Sequence, residues 1–309
     1  MKVLVTGGAG FIGSHVSDAF IRAGHAVAIV DDLSTGNRAW LPPKAGFHAV
    51  DLRSGQLSEI FAAEKPDAVA HLAAQASVGR SVTDPAFDAS VNIGGGLNLL
   101  DCCRRFDVRR IIYSSSGGAG YGDTDLIPTS EEHPTRPASP YGITKVAMEQ
   151  YVEVWGALWG MSGISLRYAN VYGPRQNPHG EAGVVAIFCS RLLAGEAPVI
   201  NGDGLQTRDF VHVSDVAAAN LLALERADVT GSVNIGTGVE TSVNAICDAL
   251  GKAAGTSLEP VHAPARPGEQ RRSCLSPKLA ERVLGWRPSV LLEKGLAQTL
   301  DHFRKESGR

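Results

Sequence analysis

The sequence predicts an α/β protein: a doubly wound parallel sheet with a smaller C-terminal α/β lobe. Three observations carry that reading. Apolar runs too short for helices alternate with amphipathic stretches, the pattern of parallel strands joined by crossover helices. The first run passes directly into a glycine-rich turn, TGGAGFIG, and then into the helical stretch SHVSDAFIRAG. The second run ends on an acid, Asp31. Strand, glycine turn, helix and acid together describe a βαβ unit suited to a dinucleotide.

The strand pattern recurs at KVLVTG (2–7), AVAIVD (26–31), FHAVDL (47–52), DAVAHL (67–72), RRIIYSS (109–115) and GISLRY (163–168). Residues 1–170 are therefore expected to form a dinucleotide-binding domain, and 171–309 mainly a ligand-binding lobe, with some segments returning to the first domain. From NVYGPRQNPHGEAGVV onward, prolines and glycines punctuate shorter elements, with helices expected near 181–194, 213–226, 241–254 and 290–303. No internal repeat, charge run or low-complexity tract interrupts this order.

With 309 residues, 44% of them hydrophobic, and 35 glycines, the chain can build a large core and many tight turns. Its net charge of −3 provides no basic footprint for nucleic acid or an anionic membrane, so any anionic ligand is expected to be small. Five cysteines (Cys102, Cys103, Cys189, Cys247, Cys274) lack C-x-x-C spacing and read as reduced thiols of a cytoplasmic protein. MKVLVTGGAG breaks into glycines too early for a signal peptide. No apolar stretch approaches the roughly 20 residues of a spanning helix.

Gly7, Gly10 and Gly13 permit a tight turn, close approach of a pyrophosphate to the backbone, and packing of the following helix, whose N-terminus faces the phosphates. Asp31 stands where a carboxylate accepts hydrogen bonds from the adenosine ribose. Asp32 adds a second charge, and DDLSTG holds no arginine to compensate a 2′-phosphate, so NAD is expected over NADP. Asp51, at the end of the third run, is placed to reach the adenine amino group.

YGITK sets Tyr141 and Lys145 four residues apart, on one helix face. A free tyrosine, with a pKa of about 10, is a poor base at neutral pH; a cation one turn away and a positive nicotinamide ring would stabilise its phenolate. The fifth run ends in SSSGGAGYG, bringing Ser114, Ser115 and Ser116 to the carboxyl edge of the sheet, where open α/β folds bind ligands. One of these serines can share a substrate hydroxyl with Tyr141. In the second lobe, Arg208 and Arg266 are forked, permanently charged donors suited to a diphosphate. His179 and Glu181 in NPHGEAGVV invite a metal reading, but no third ligand accompanies them, and none is expected.

The motifs TGGAGFIGSH, DDLSTG, HLAAQASVGRS, SSSGG, SPYGITK, RYANVYGPRQNPHGEAGVV and GDGLQTRDFVHVSDVA cover essentially the whole chain. In their combination the sequence resembles the extended short-chain dehydrogenase/reductases, and within them the bacterial UDP-glucose 4-epimerases of the NAD-dependent epimerase/dehydratase family. The resemblance implies a catalytic Tyr141 and Lys145, with Ser116, 25 positions before the tyrosine, as their hydroxyl partner. It implies NAD contacts at Phe11, Ile12, Asp31, Ser34, Gly36, Asp51, Leu52, Leu72, Ala73, Ala74, Gln75, Asn92, Ser114, Tyr141, Lys145 and Tyr168, beside the glycines. It implies nucleotide-sugar contacts at Asn170, Gly183, Val184, Val185, Arg208, Arg266, Glu269 and Ser273. The chain departs from the family pattern at Asp32, where asparagine is usual, at Gly120, where an aliphatic residue is usual, and at Glu269, where aspartate is commoner.

The implied activity is 4-epimerisation of a UDP-hexose: hydride passes from C4 to NAD, the 4-keto sugar turns over, and hydride returns to its other face. A lyase of the same family would carry an acid after the serine strand, and SSSGGAG offers none. A UDP-glucuronate 4-epimerase or an NAD(P)H-dependent ketone reductase remains as the alternative, and a non-catalytic sensor would lack the Tyr/Lys pair. Ser273 borders the sugar pocket in the family, where a small residue leaves room for an N-acetyl group. Helices at 84–106 and 141–159 match those the family pairs into a homodimer.

Overall fold

The computed structural model describes residues 1–178, 183–256, 259–265 and 270–307. Its main sheet contains β1 (Lys2–Thr6), β2 (Ala26–Val30), β3 (Gly46–His48), β4 (Ala68–His71), β5 (Arg110–Ser116), β6 (Ser162–Tyr168) and a late strand, Gly231–Ile235. Across the sheet the order is Gly231–Ile235, β6, β5, β4, β1, β2, β3, and every pairing is parallel. β1 starts the chain in the middle, and the strand order runs outward from it in both directions. The crevice between the carboxyl ends of β1 and β4 is the topological switch point at which such sheets bind ligands.

The strands read as unbroken apolar runs because both faces of the sheet are covered. Side chains alternate between the faces with period two. Val3 and Val5 pack toward Val16 and Phe20 of the helix Phe11–Arg22, with Val216 and Trp286 in the same core. Leu4 packs the other way, with Leu57, Phe61, Leu99 and Met148. A third core joins Tyr172, Phe188, Phe210, Ile246, Leu250 and Leu300 beneath a small second sheet. In that sheet Thr207–His212 pairs with Asn170–Tyr172, Glu240–Ser242 and Arg272–Ser273.

Two elements differ from their expected extents. The third strand ends at His48 rather than near 52, because Asp51 turns back to accept from Arg53 N at 2.8 Å and so bends the chain out of the sheet. The stretch 84–106 is broken: Pro85–Ala89 and Gly96–Arg105 are joined by a π-helical turn, Ser90–Gly95. The wide turn coincides with a glycine run and with Asn92 turned inward to bond Gln75. Pro140–Trp159, by contrast, is one helix of 20 residues. Proline occupies its first turn, the Ser139 hydroxyl accepts from Gly142 N at 3.1 Å, and left-handed Gly160 closes it.

Candidate active site

The glycine turn is as close-packed as its sequence implies. A Cβ on Gly7, whose φ is +69°, would lie 2.6 Å from Ala73 N, and one on Gly13 would lie 2.0 Å from Gly7 O. The turn therefore admits no side chain where β1 and β4 part, and the helix Phe11–Arg22 starts there without a side-chain cap or an acid in its first turn. Free amides at a bare helix N-terminus fit a pyrophosphate.

A cleft of about 500 Å³ opens above this turn. Its walls include Gly7, Gly10, Phe11, Ile12, Gly13, Asp31, Asp32, Ser34, Asp51, Leu52, Leu72, Ala73, Ala74, Gln75, Ser114 and Gly183. Sequence reasoning missed Trp40, Arg53, Arg80, Phe87 and Gln176 in the same walls. Arg53 binds both oxygens of Asp51, and Arg80 stacks on Phe87 at 3.7 Å from the ring centroid. The Asp51 carboxyl is held below the usual range by these Arg53 hydrogen bonds. Asp31 accepts from Ala9 N at 3.0 Å and Leu33 N at 2.8 Å, so it also shapes the turn, and burial raises its acid above the ordinary value. Acid, cleft and glycine cradle together fit an NAD molecule.

Five expected cofactor residues, Tyr141 among them, lie outside those walls, as does the expected substrate residue Val185. Gly36 packs against Asp31, where a Cβ would fall 2.8 Å from Oδ1. Asn92 is buried and accepts from Gln75 N at 2.8 Å. The Tyr168 hydroxyl meets Asn220 at 2.8 Å, and Lys145 is enclosed in protein. Val185, expected at the sugar, is instead a core residue of the second lobe, because the first turn of Val184–Leu193 points it at Phe188 and its neighbours.

The serines separate by the pleat of β5. Ser115 is buried and donates to Glu149 Oε1 at 2.5 Å. Ser114 and Ser116 face the opposite way. The Ser114 carbonyl accepts from Lys145 Nζ at 2.7 Å, and the Ser116 side chain lies near enough to Tyr141 to lower its phenol pKa. Nζ of Lys145 lies 5.8 Å from the Tyr141 ring centroid. Burial pushes Tyr141 up to about 12, against the lowering effect of Ser116. Burial also brings Lys145 down to about 8, while Asp88 and Glu149 oppose the change.

In the second sheet, Ser273 pairs with Arg208 in register, and its Oγ lies 3.1 Å from where a Cβ on Gly118 would stand. The Arg208 guanidinium donates to Thr207 O at 2.8 Å. Asn170 opens the strand that pairs with Phe210. A second hollow of about 190 Å³, bounded by Asn201, Asp203, Gln206, Gln270 and Arg271 among others, lies on the second lobe; only its NGDG turn hinted at it in the sequence. Arg266, Glu269, His179 and Glu181 lie outside the described residues.

A family model described as the NAD dependent epimerase/dehydratase family matches residues 3–236. The chain belongs to that family, and it is an NAD-dependent enzyme of the epimerase class. Within the family it is similar to the UDP-glucose 4-epimerases. That of Mycolicibacterium smegmatis is 46% identical over 99% of this chain and 100% of its own. The crystal structure of UDP-glucose 4-epimerase with UDP-glucose from Thermotoga maritima superposes with a TM-score of 0.96 at 47% identity, covering 99% of this chain and 100% of that one. The Thermus thermophilus enzyme in complex with NAD does so with a TM-score of 0.93 at 46% identity, covering 98% and 99%. Among the described residues no helix is long and apolar enough to cross a membrane, and all five cysteines are buried and unpaired.

Proposed function

We propose that the chain interconverts UDP-glucose and UDP-galactose by 4-epimerisation through a 4-keto sugar. The observation that carries this is the meeting of Ser116, Tyr141 and Lys145 at the carboxyl edge of β5, beside a cleft shaped for NAD. Bound NAD supplies a hydride acceptor and, while oxidised, a positive ring that favours the Tyr141 phenolate. Tyr141 takes the proton of the sugar's 4-hydroxyl and later returns it, with Ser116 sharing that hydroxyl and Lys145 adding positive charge. Asn170, Val184, Arg208, Arg266 and Glu269 hold the nucleotide and its diphosphate, leaving the sugar able to turn.

The test is to incubate purified protein with UDP-galactose and no added cofactor. The expected result is a UDP-glucose/UDP-galactose mixture with NAD retained on the protein; no mixture without added cofactor, but a keto sugar with stoichiometric NADH or NADPH formed when NAD or NADP is added, would make it a ketone reductase run in reverse instead. UDP-glucuronate in the same screen separates the third reading.

Ser273 supports a wider substrate range, because its small side chain faces Gly118, two residues beyond Ser116. UDP-N-acetylglucosamine is then accepted as well. Ser273→Tyr is expected to abolish that activity while sparing UDP-glucose, since overpacking such a pocket costs about 1–3 kcal/mol. Equal slowing of both substrates would exclude Ser273 as the gate.

The protein is proposed to work in the cytoplasm as a homodimer. Pro140–Trp159 exposes Ile143, Tyr151, Val154 and Leu158 as an apolar stripe suited to pairing with a second copy. Sedimentation of the parent and of Val154→Glu checks it: a parent that sediments as a monomer excludes the pairing.

A further inference from the structure

Asp88 touches neither cleft, yet it is fully buried next to both the cofactor wall and the catalytic helix. Its Oδ1 accepts from Gln75 Nε2 at 2.7 Å and Asn92 Nδ2 at 3.2 Å, and its Oδ2 accepts from Thr144 Oγ1 at 2.9 Å. Every partner leads to the site. Gln75 lines the cofactor cleft, and its amide also grips Ser77 through both backbone groups. Asn92 clamps the backbone of Gln75 with bonds of 2.8 and 3.0 Å, and the wide turn around it turns it inward. Thr144 immediately precedes Lys145, and its hydroxyl lies 2.9 Å from the Tyr141 carbonyl.

We propose that Asp88 is a positioning residue for the reaction: one buried carboxylate sets the cofactor-facing Gln75 loop against the helical turn that presents Tyr141 and Lys145. This rests on the reading of those two residues as the proton-transfer pair. Three neutral donors converge on Asp88, and a carboxylate, which only accepts, satisfies all three where an amide would turn an N–H toward one of them. No salt bridge holds Asp88 among the described residues, and a buried carboxylate without a paired cation is costly unless something else is gained.

Its charge reaches the same pair. The carboxylate favours the Lys145 ammonium and disfavours the Tyr141 phenolate. The other groups facing the pair are Glu149 on their own helix, His71 on β4, and Tyr113 and Ser116 on β5. Removing the charge at Asp88 therefore makes Tyr141 ionise, and Lys145 discharge, at lower pH. Both limbs of a pH–turnover profile move in the same direction.

The experiment compares the parent with Asp88→Asn, Asp88→Ala and Thr144→Val, measuring turnover against pH, NAD affinity by calorimetry, and thermal melting. Asp88→Asn keeps the volume, drops the charge and turns an N–H toward one of the three donors; both limbs are expected to move down by about half to one pH unit, with NAD affinity weakened less than in Asp88→Ala. Asp88→Ala removes the pin, and NAD binding is expected to weaken about tenfold with turnover down about 10- to 100-fold. Thr144→Val removes the helix-side bond to Asp88 and the 3.1 Å bond that the same hydroxyl accepts from Asn92 Nδ2, lowering turnover about three- to tenfold with the pH profile unmoved and NAD affinity weakened less than in Asp88→Ala. An unmoved profile in Asp88→Asn, or parent-like NAD affinity in a folded Asp88→Ala, would overturn the proposal. Should Asp88→Ala not fold, the Asp88→Asn profile and the Thr144→Val turnover decide it, and parent-like behaviour in either sinks it. A parent that binds NAD but epimerises nothing instead removes the underlying catalytic reading, and the NAD arm of Asp88→Ala then judges the pin alone.

Discussion

Two buried cations stand on either side of Glu149, and the protein treats them in opposite ways. Arg167 on β6 is locked: its guanidinium reaches Glu149 Oε2 at 2.6 Å and the Tyr121 hydroxyl at 2.7 Å, and Ser115 and Ser232 bond the same carboxylate. Burial works against its charge, but these bonds outweigh burial and hold it above the usual arginine range. Lys145, one helical turn before Glu149, is as thoroughly buried but bonds a neutral carbonyl, and burial wins, leaving it near 8. Pairing makes a permanent strut, whereas partial pairing makes a charge that answers to its surroundings. The strut fixes β5 and β6 through Ser115 and Arg167; the responsive charge lies one helical turn nearer the site, over the Tyr113 ring at 5.0 Å and bonded to the Ser114 carbonyl.

The comparison breaks most sharply at Tyr141. Tyr141→Phe removes the proposed base on the responsive side and touches nothing in the strut, so turnover is expected to fall by about 10² to 10⁴ with melting temperature and NAD content unchanged. Near-normal epimerisation by this variant would remove Tyr141 from the chemistry. Arg167→Met attacks the other side. It leaves Glu149 buried and uncompensated, which typically costs about 3–5 kcal/mol, so denaturant melts should show a large loss of stability. A small loss would mean that the strut is not what holds β5 to β6.

The third comparison is in pH. Lys145 has a folded value of about 8 against an ordinary 10.5. Between those values the unfolded chain binds the extra proton, so stability rises with pH; the cost of burying the ammonium is fully present below pH 8 and is relieved by 10.5. Melts of the parent and of Lys145→Met across this window should therefore show the gap shifting in the parent's favour, by about 1–3 kcal/mol. Arg167 yields no slope there, because it titrates above the window. A flat difference for Lys145 would show that it is no less locked than Arg167.

The smallest effects come from adjacent serines. Ser115→Ala deletes one bond to Glu149 and should cost about 1 kcal/mol of stability without slowing turnover. Ser116→Ala should slow turnover about tenfold or more and leave stability near the parent's. If both variants behave alike, Ser115 and Ser116 are not divided between strut and site.

Local pattern determined much of this protein by itself. Short apolar runs, a glycine turn and an acid at the end of the second run are signals within a few residues of one another, and the crevice with Gly7, Gly13 and Asp31 in its walls was legible from them. The four-residue spacing of Tyr141 and Lys145 is likewise a property of one helix. Only the tertiary structure decided which serine meets Tyr141, that Val185 belongs to a core, that Gly231–Ile235 runs back beside β6, and that Arg53 covers Asp51. It also decided which charges are paired, and that has a physical reason. Burial and ion pairing depend on groups far apart in the chain: Asp88 and Thr144 are separated by 56 positions, Tyr121 and Arg167 by 46. Such distances leave no periodicity to read, yet burial is what sets Tyr141 high and Lys145 low, and pairing with Glu149 is what keeps Arg167 charged.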